Sequence, residues 1–195
     1  FANDVSALSK RPHPKKYSTS TSPHSKRQKP TPPEKIRERF EAGEHTESSA
    51  RTLERMKEGE LQLSLEPDPK PGRRGTATSA SEINVDPRAS PTDASIIITH
   101  EGQHANDMAD GVIKPPGQAS GPEILMAEMR AERAAGQYAK KNKLRSGLAR
   151  DAIKRSEKRV DFLAIEIAES LGGYSDQDVI EAIKLFNKVS GGVFR

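Results

Sequence analysis

Beyond residue 33 the apolar positions recur mostly at helical spacing, with two short stretches at strand spacing. In "PEKIRERFEAGEHTESSARTLERMKEGE", Ile36 and Phe40 sit four apart and Leu53 and Met56 three apart, which predicts two short amphipathic helices broken at Gly43. So little apolar surface predicts only weak packing, and residues 34–59 read as a linker of weak amphipathic helices. "LQLSL" alternates Leu61, Leu63 and Leu65 with polar partners, the period of a strand, and a Pro/Gly-rich loop, "EPDPKPGRRGTATSA", follows it. "SEINVDP" is a second strand with Ile83 and Val85 on one face, ended by Pro87, and the two strands predict a small sheet.

The next segment, "SPTDASIIITHEGQHANDMADG", is punctuated as a helix: Ser90 at the N-cap, Pro91 in the first helical position, Asp93 in the positive first turn and Gly111 just past the end. Its three consecutive isoleucines suit a helix buried on most sides. "SGPEILMAEMRAERAAGQYAKKNKL" opens with Ser120 and Glu123 in capping-box spacing and is rich in strong helix formers. Two further helices are expected. One runs from about Leu148 to Leu171, with Phe162, Ile165, Ala168 and Leu171 as its core face, and stops at Gly172 and Gly173. The other starts from a Ser175 cap and carries Val179, Ile180, Ile183, Leu185 and Phe186.

Composition sharpens this division. Of the 195 residues 32% are hydrophobic, 31% charged and only 4% aromatic, so a core spread evenly along the chain would be thin. Residues 1–33, rich in Ser, Pro, Lys and Thr, show no periodicity and cannot bury enough apolar surface to offset the entropy of ordering; they read as a disordered basic arm. The folded part is then one domain over 60–195, of α+β class, mainly helical with a small β-sheet. The formal charge of +4 is mild and concentrated in "SKRPHPKKYSTSTSPHSKRQKP", which could touch phosphates or acidic lipid but has the composition of a solvated tail. No basic patch interleaved with aromatics is present to stack bases, which argues against a nucleic-acid partner. No apolar run approaches the ~20 residues of a membrane span, so a soluble monomer is expected. The absence of cysteine removes disulfides, thiol catalysis and thiolate metal sites together, leaving His and carboxylates as the available metal ligands.

Those ligands are present in His-Glu-Gly-Gln-His. On a helix, His100 and His104 lie on one face with Cβ atoms about 5 to 6 Å apart, close enough to share one zinc ion. Glu101 is rotated by about 100° from His100, too far round for a third ligand but well placed to take a proton from a water activated by the metal. A catalytic zinc needs three protein ligands, and His104 is the last histidine of the chain, so the third must be a carboxylate. Glu123, Glu128 and Glu132 share the following helix. Glu123 has a capping role opposite Ser120, whereas Glu128 lies on the stripe of Ile124, Ala131 and Ala135 that turns inward. Glu128 is therefore the expected ligand. Glu132, one turn on, suits a supporting role, accepting the free ring N–H of a ligating histidine.

"EMRAERAA" resembles the Glu-x-x-Ala-Asp helix of glutamate-type zincin metallopeptidases, with Glu132 where those families often carry Asp. "HEGQHANDMADG" is similar to the His-Glu-x-x-His-Ala-x-Asp-Met-x-x-Gly run of the small zinc metalloproteases that plant and enteric pathogens inject through type III secretion. "INVDPRAS" resembles the strand and loop before their active helix, and "NKLRSG" with Arg150 resembles a downstream Asn-x-x-Arg element. The resemblance spans about Ile83 to Arg150 and departs in two places. Gly102 stands where a larger apolar residue is usual, and no tyrosine matches the one expected after the Arg element, which leaves the oxyanion-stabilising residue unassigned.

The resemblance implies a zincin-like fold and zinc-dependent hydrolysis of a peptide bond in a protein substrate, by a secreted effector or toxin translocated into a host cell, where an unstructured arm would pass a narrow channel without unfolding. If the secretion reading fails, a cytoplasmic location is expected. Two rival functions are a zinc amidase acting on a non-protein amide such as a cell-wall link, and a basic adaptor in which the motif is inert.

Overall fold

The computed structural model describes residues 30–67 and 74–190; the expected disordered arm lies outside the described residues as far as residue 29. The chain forms α1 (Pro33–Glu41), α2 (Glu47–Lys57), β1 (Gln62–Ser64), β2 (Gly75–Ser79), β3 (Glu82–Val85), α3 (Pro91–Ala109), α4 (Gly121–Lys141), α5 (Gly147–Ser156), α6 (Val160–Leu171) and α7 (Asp176–Val189). This is an α+β architecture, mainly helical, with one small sheet. Among the described residues no helix is long and apolar enough to cross a membrane.

The sheet has one strand more than the alternation of apolar residues predicts. Its order is β1-β3-β2, with β1 parallel to β3 and β2 antiparallel to it in a tight hairpin. β2 comes from "GTATS", inside the stretch read as a loop, and only Ala77 among its side chains is a buried hydrophobic. Its strand character lies in its pairing with β3 rather than in its own pattern.

α3 is the central element. Its capping matches expectation, with Ser90 Oγ accepting from the Asp93 N–H at 3.1 Å, and Ile96, Ile97 and Ile98 are all buried because the helix has neighbours all round. One hydrophobic cluster joins α1, α2, the sheet, α3, α5 and the second half of α4; another joins the first half of α4 to α6 and α7. α4 carries both clusters, so its second half packs with α3 and α5 and its first half with α6 and α7.

Two expectations are corrected. The helices within 34–59 do not pack weakly: Ile36 and Phe40 of α1 are fully buried, and Thr52, Leu53 and Arg55 of α2 are buried against the same cluster as α3. The long helix expected over Leu148–Leu171 is two helices, broken at 157–159. The Arg133 guanidinium on α4 donates to the carbonyls of Ser156 and Lys158 at 2.6 Å each, satisfying backbone acceptors that the break would otherwise leave open. The break also resets the phase of α6, so Leu163, Ala164 and Ile167 face the core while Phe162 and Leu171 are about half exposed.

Candidate metal centre

One turn of α3 separates His100 from His104, and their Nε2 atoms lie 3.3 Å apart. Glu128 reaches across from α4, with Oε2 3.4 Å from His100 Nε2 and Oε1 3.5 Å from His104 Nε2. These three residues form a group that could hold a metal ion. The three side chains make a triangle in which each imidazole faces a different oxygen of Glu128. A tetrahedral ion with bonds of about 2.0 to 2.1 Å requires ligand atoms about 3.3 to 3.4 Å apart, so the spacing of the two imidazoles and the nitrogen and carboxylate donor set suit an ion such as zinc. The three side chains are between 12 and 29% exposed, enough shelter to strengthen the charges and enough opening to admit a small molecule.

Electrostatics reinforce the grouping. Burial opposes protonation of His100, but the hydrogen bond to Glu128 and the negative field of Glu101, Glu128 and Glu132 overcome it and raise its pKa to about 9.

Glu101 lies beside the start of β2. A Cβ built on Gly75 would come within 3.0 Å of Glu101 Cγ and Oε1 and 2.4 Å of Ile97 Cγ2, so only glycine lets the strand approach the motif helix this closely. Gly75 was not legible as a site residue, because nothing in "GRRGTATSA" marks it as lying over the helix. The groove above the triangle has a volume of about 660 Å³ and is walled by Arg74 to Ala77, by α3, by Glu123 to Ala135 of α4 and by Leu148, Asp151 and Arg155 of α5.

Among the other glutamates, Glu123 is the helix cap it was expected to be. Its Oε2 accepts from the Ser120 N–H at 2.8 Å and from Ser120 Oγ at 2.7 Å, and these bonds hold its carboxyl below the ordinary range. Glu132 lines the groove, but its partner is not an imidazole: Arg155 Nη1 donates to Oε1 at 2.8 Å. The expected role of Glu132 in fixing a histidine tautomer is replaced by that ion pair. Of the downstream arginines, Arg155 lines the groove, while Arg150 is exposed. Asn142 instead ties the end of α4 to residue 44, accepting from the Glu44 N–H and donating to the Glu44 carbonyl, each at 2.8 Å. The phenol of Tyr174 is pushed up by burial and further by the Glu128 and Asp178 charges.

The opposite side of α3 explains the residues interleaved with the motif. A Cβ on Gly102 would meet Thr52 Cγ2 and Oγ1 at 2.5 Å, so this glycine is where α2 crosses α3. Asn106 donates to Thr52 Oγ1 and accepts from Arg55 Nη1, and Asp110 pairs with Arg51 through two 2.5 Å bonds. Asp107, whose side chain is 1% exposed, accepts from Arg130 Nε at 2.8 Å, Arg130 Nη2 at 2.9 Å and Gln103 Nε2 at 2.7 Å. α3 is thus held to α2 through Asn106 and Asp110 and to α4 through Asp107. The signal for these clamps was present as amides and acids three or four residues apart, but their partners lie more than twenty residues away.

Comparison with known proteins gives no match: no family model, no curated protein and no solved structure is similar to this chain.

Proposed function

We propose that this chain is a zinc-dependent peptidase of the glutamate-type zincin class, cleaving a peptide bond in a protein substrate, and that it acts as a secreted bacterial effector. The observation that carries the reading is the grouping of two imidazoles one helical turn apart, 3.3 Å between their Nε2 atoms, with a carboxylate from the next helix whose two oxygens lie 3.4 Å from one imidazole and 3.5 Å from the other. His100, His104 and Glu128 hold the ion. When bound, zinc supplies Lewis acidity, polarising a carbonyl and bringing the ionisation of water near neutral pH.

The chain's own groups perform the remaining steps. Glu101 takes the proton of the attacking water and returns it to the leaving amine, which needs a carboxylate beside the metal rather than on it. Among the described residues β2 is an edge strand of the sheet, with β3 as its neighbour, and Arg74 to Ala77 at its start line the groove. An extended substrate adds to it as a further strand, its main chain held by hydrogen bonds and its scissile carbonyl laid over the triangle. This strand-lined groove favours a polypeptide over a cell-wall amide.

The test is incubation of the zinc-loaded protein with a mixed peptide pool, read by mass spectrometry. New cleavages should appear with the parent and vanish in Glu101→Gln, which should keep its zinc. Undiminished cleavage by Glu101→Gln would remove the proposed general base. Hydrolysis of cell-wall amides with no peptide cut would favour the amidase.

A further inference from the structure

The groove wall on α5 continues into a strongly basic surface. "KKNKLRSGLARDAIKRSEKR", residues 140–159, contains nine lysines and arginines against two acids, Asp151 and Glu157. Five of the nine are engaged: Lys140 with Glu157, Lys141 with the His45 carbonyl, Arg155 with Glu132, Lys158 with Glu166 and Arg159 with Asp161. Lys143, Arg145, Arg150 and Lys154 are exposed and have no carboxylate partner among the described residues. Surfaces that serve only solubility intersperse both signs, whereas here four exposed cations stand with Asp151 as the one exposed acid of the stretch that has no ion pair among the described residues, and the net positive face fits an anion.

Their placement relative to the groove follows from helix periodicity. Leu148, Asp151, Ala152 and Arg155 form the stripe of α5 that lines the groove, and Ala149 and Ser156 are buried. Arg150 and Lys154, one turn apart, occupy the outward face beside that stripe, with Lys143 and Arg145 in the connection leading into the helix. At 1.5 Å per residue α5 is about 15 Å long, the span of only about four or five residues of extended chain. A polypeptide leaving the groove along this wall crosses the basic face within a few residues of the triangle.

We propose that this α5 face captures an acidic stretch of the protein substrate next to the bond being cleaved; the inference rests on the peptidase reading and adds the class of sequence it acts on. Residues 140–159 contain no aromatic side chain on which bases could stack, and Leu144, the large apolar residue beside the exposed cations, is buried rather than free to enter a bilayer. An acidic peptide segment needs neither feature.

The experiment uses metal-free protein and a fluorescent twelve-residue peptide carrying six glutamates, its glutamine analogue and a 20-base-pair DNA duplex. The parent should bind the acidic peptide and not the analogue. Reversal of Lys143, Arg145, Arg150 and Lys154 to Glu should raise the Kd by on the order of ten- to a hundredfold at low salt, as the loss of several exposed ion pairs implies. The difference should shrink towards nothing in about 0.5 M salt. The four positions are exposed, so the melting temperature should hold; replacement by Gln should give an intermediate Kd. In the zinc-loaded parent, cleavages of the mixed peptide pool should concentrate within about six residues of Asp or Glu, and the reversed variant should lose that bias. Equal binding by the reversed variant, tighter binding of the duplex than of the acidic peptide, or cleavages indifferent to acidic neighbours would each overturn the proposal. Binding is read without metal, so its failure leaves the peptidase reading intact. A parent that binds the acidic peptide but cuts nothing when zinc-loaded retires the peptidase reading instead.

Discussion

Replacing Arg130 with methionine removes one side of the clamp that joins the two ligand-bearing helices. Asp107 sits three residues beyond His104, and Arg130 two beyond Glu128, so the pair ties α3 to α4 about one turn along from the triangle. In Arg130→Met the Asp107 carboxylate, 1% exposed, keeps only the Gln103 amide as a partner. Breaking a buried pair from one side costs about 3–5 kcal/mol because a charge is left without compensation. For a chain of 195 residues that corresponds to a fall in melting temperature of about 6–20 °C. Replacing both partners together, as Asp107→Leu with Arg130→Met, removes the stranded charge and should recover most of the loss. Thermal melts of the parent, the two single variants and the double complete the cycle, and a zinc titration beside them reads whether the helix spacing has loosened. A single variant that melts within about 2 °C of the parent, or a double variant no better than the worse single, would refute the reasoning.

Glu128→Ala should leave zinc on two histidines and abolish turnover, whereas Glu132→Ala, which removes a partner of Arg155 rather than of an imidazole and leaves Arg155 paired with Glu166, should weaken zinc by less than about tenfold, and Glu123→Ala should keep the metal and cost about 1 kcal/mol through its cap; zinc titrations of the three variants check the order. Gly102→Val places side-chain atoms into Thr52 and should cost about 1–3 kcal/mol by overpacking, part of which Thr52→Ala returns; an unchanged melting temperature would contradict the close crossing of α2 and α3. His100 has its folded-state pKa raised from 6.5 to about 9, so its contribution to the metal-free protein is complete below pH 6.5 and is lost as pH rises through 9. Zinc must displace that proton, and its apparent affinity should therefore rise by up to about tenfold per pH unit towards pH 9; a flat profile from 6.5 to 9 would exclude a protonated His100.

What could be read from the chain follows from how local each feature is. The grouping of His100 with His104 needs only helical periodicity, and the choice of Glu128 followed from a stripe of α4 whose Ala131 and Ala135 are buried, although Ile124, expected on the same inward face, is exposed. Both lie within one helix. Capping at Ser90, Ser120 and Ser175 was equally legible, because the cap and its partner are three residues apart. Features set by tertiary partners were not. β2 has almost no apolar pattern of its own, and Gly75 gains its meaning only where the strand passes over Glu101. The break after Ser156 is stabilised by Arg133 from another helix, so no glycine or proline announces it. α1 and α2 carry few apolar residues, yet Ile36 and Phe40 of α1 are wholly buried, Phe40 against the rings of His45 and Tyr138, and the polar clamps of Arg51, Thr52 and Arg55 hold α2 on α3. Counting hydrophobic residues misses that kind of docking. The role expected of Glu132 failed for the same reason, since Arg155 stands on α5, twenty-three residues away.

Metal stoichiometry tests the central claim most directly. Elemental analysis of the full chain, purified without chelator and then equilibrated with excess zinc and desalted, should find about one zinc per molecule in the parent and in Glu101→Gln. It should find almost none in His104→Ala, which removes one of the three donors of the triangle. A parent holding less than about a tenth of an equivalent, or His104→Ala holding as much as the parent, would contradict the account.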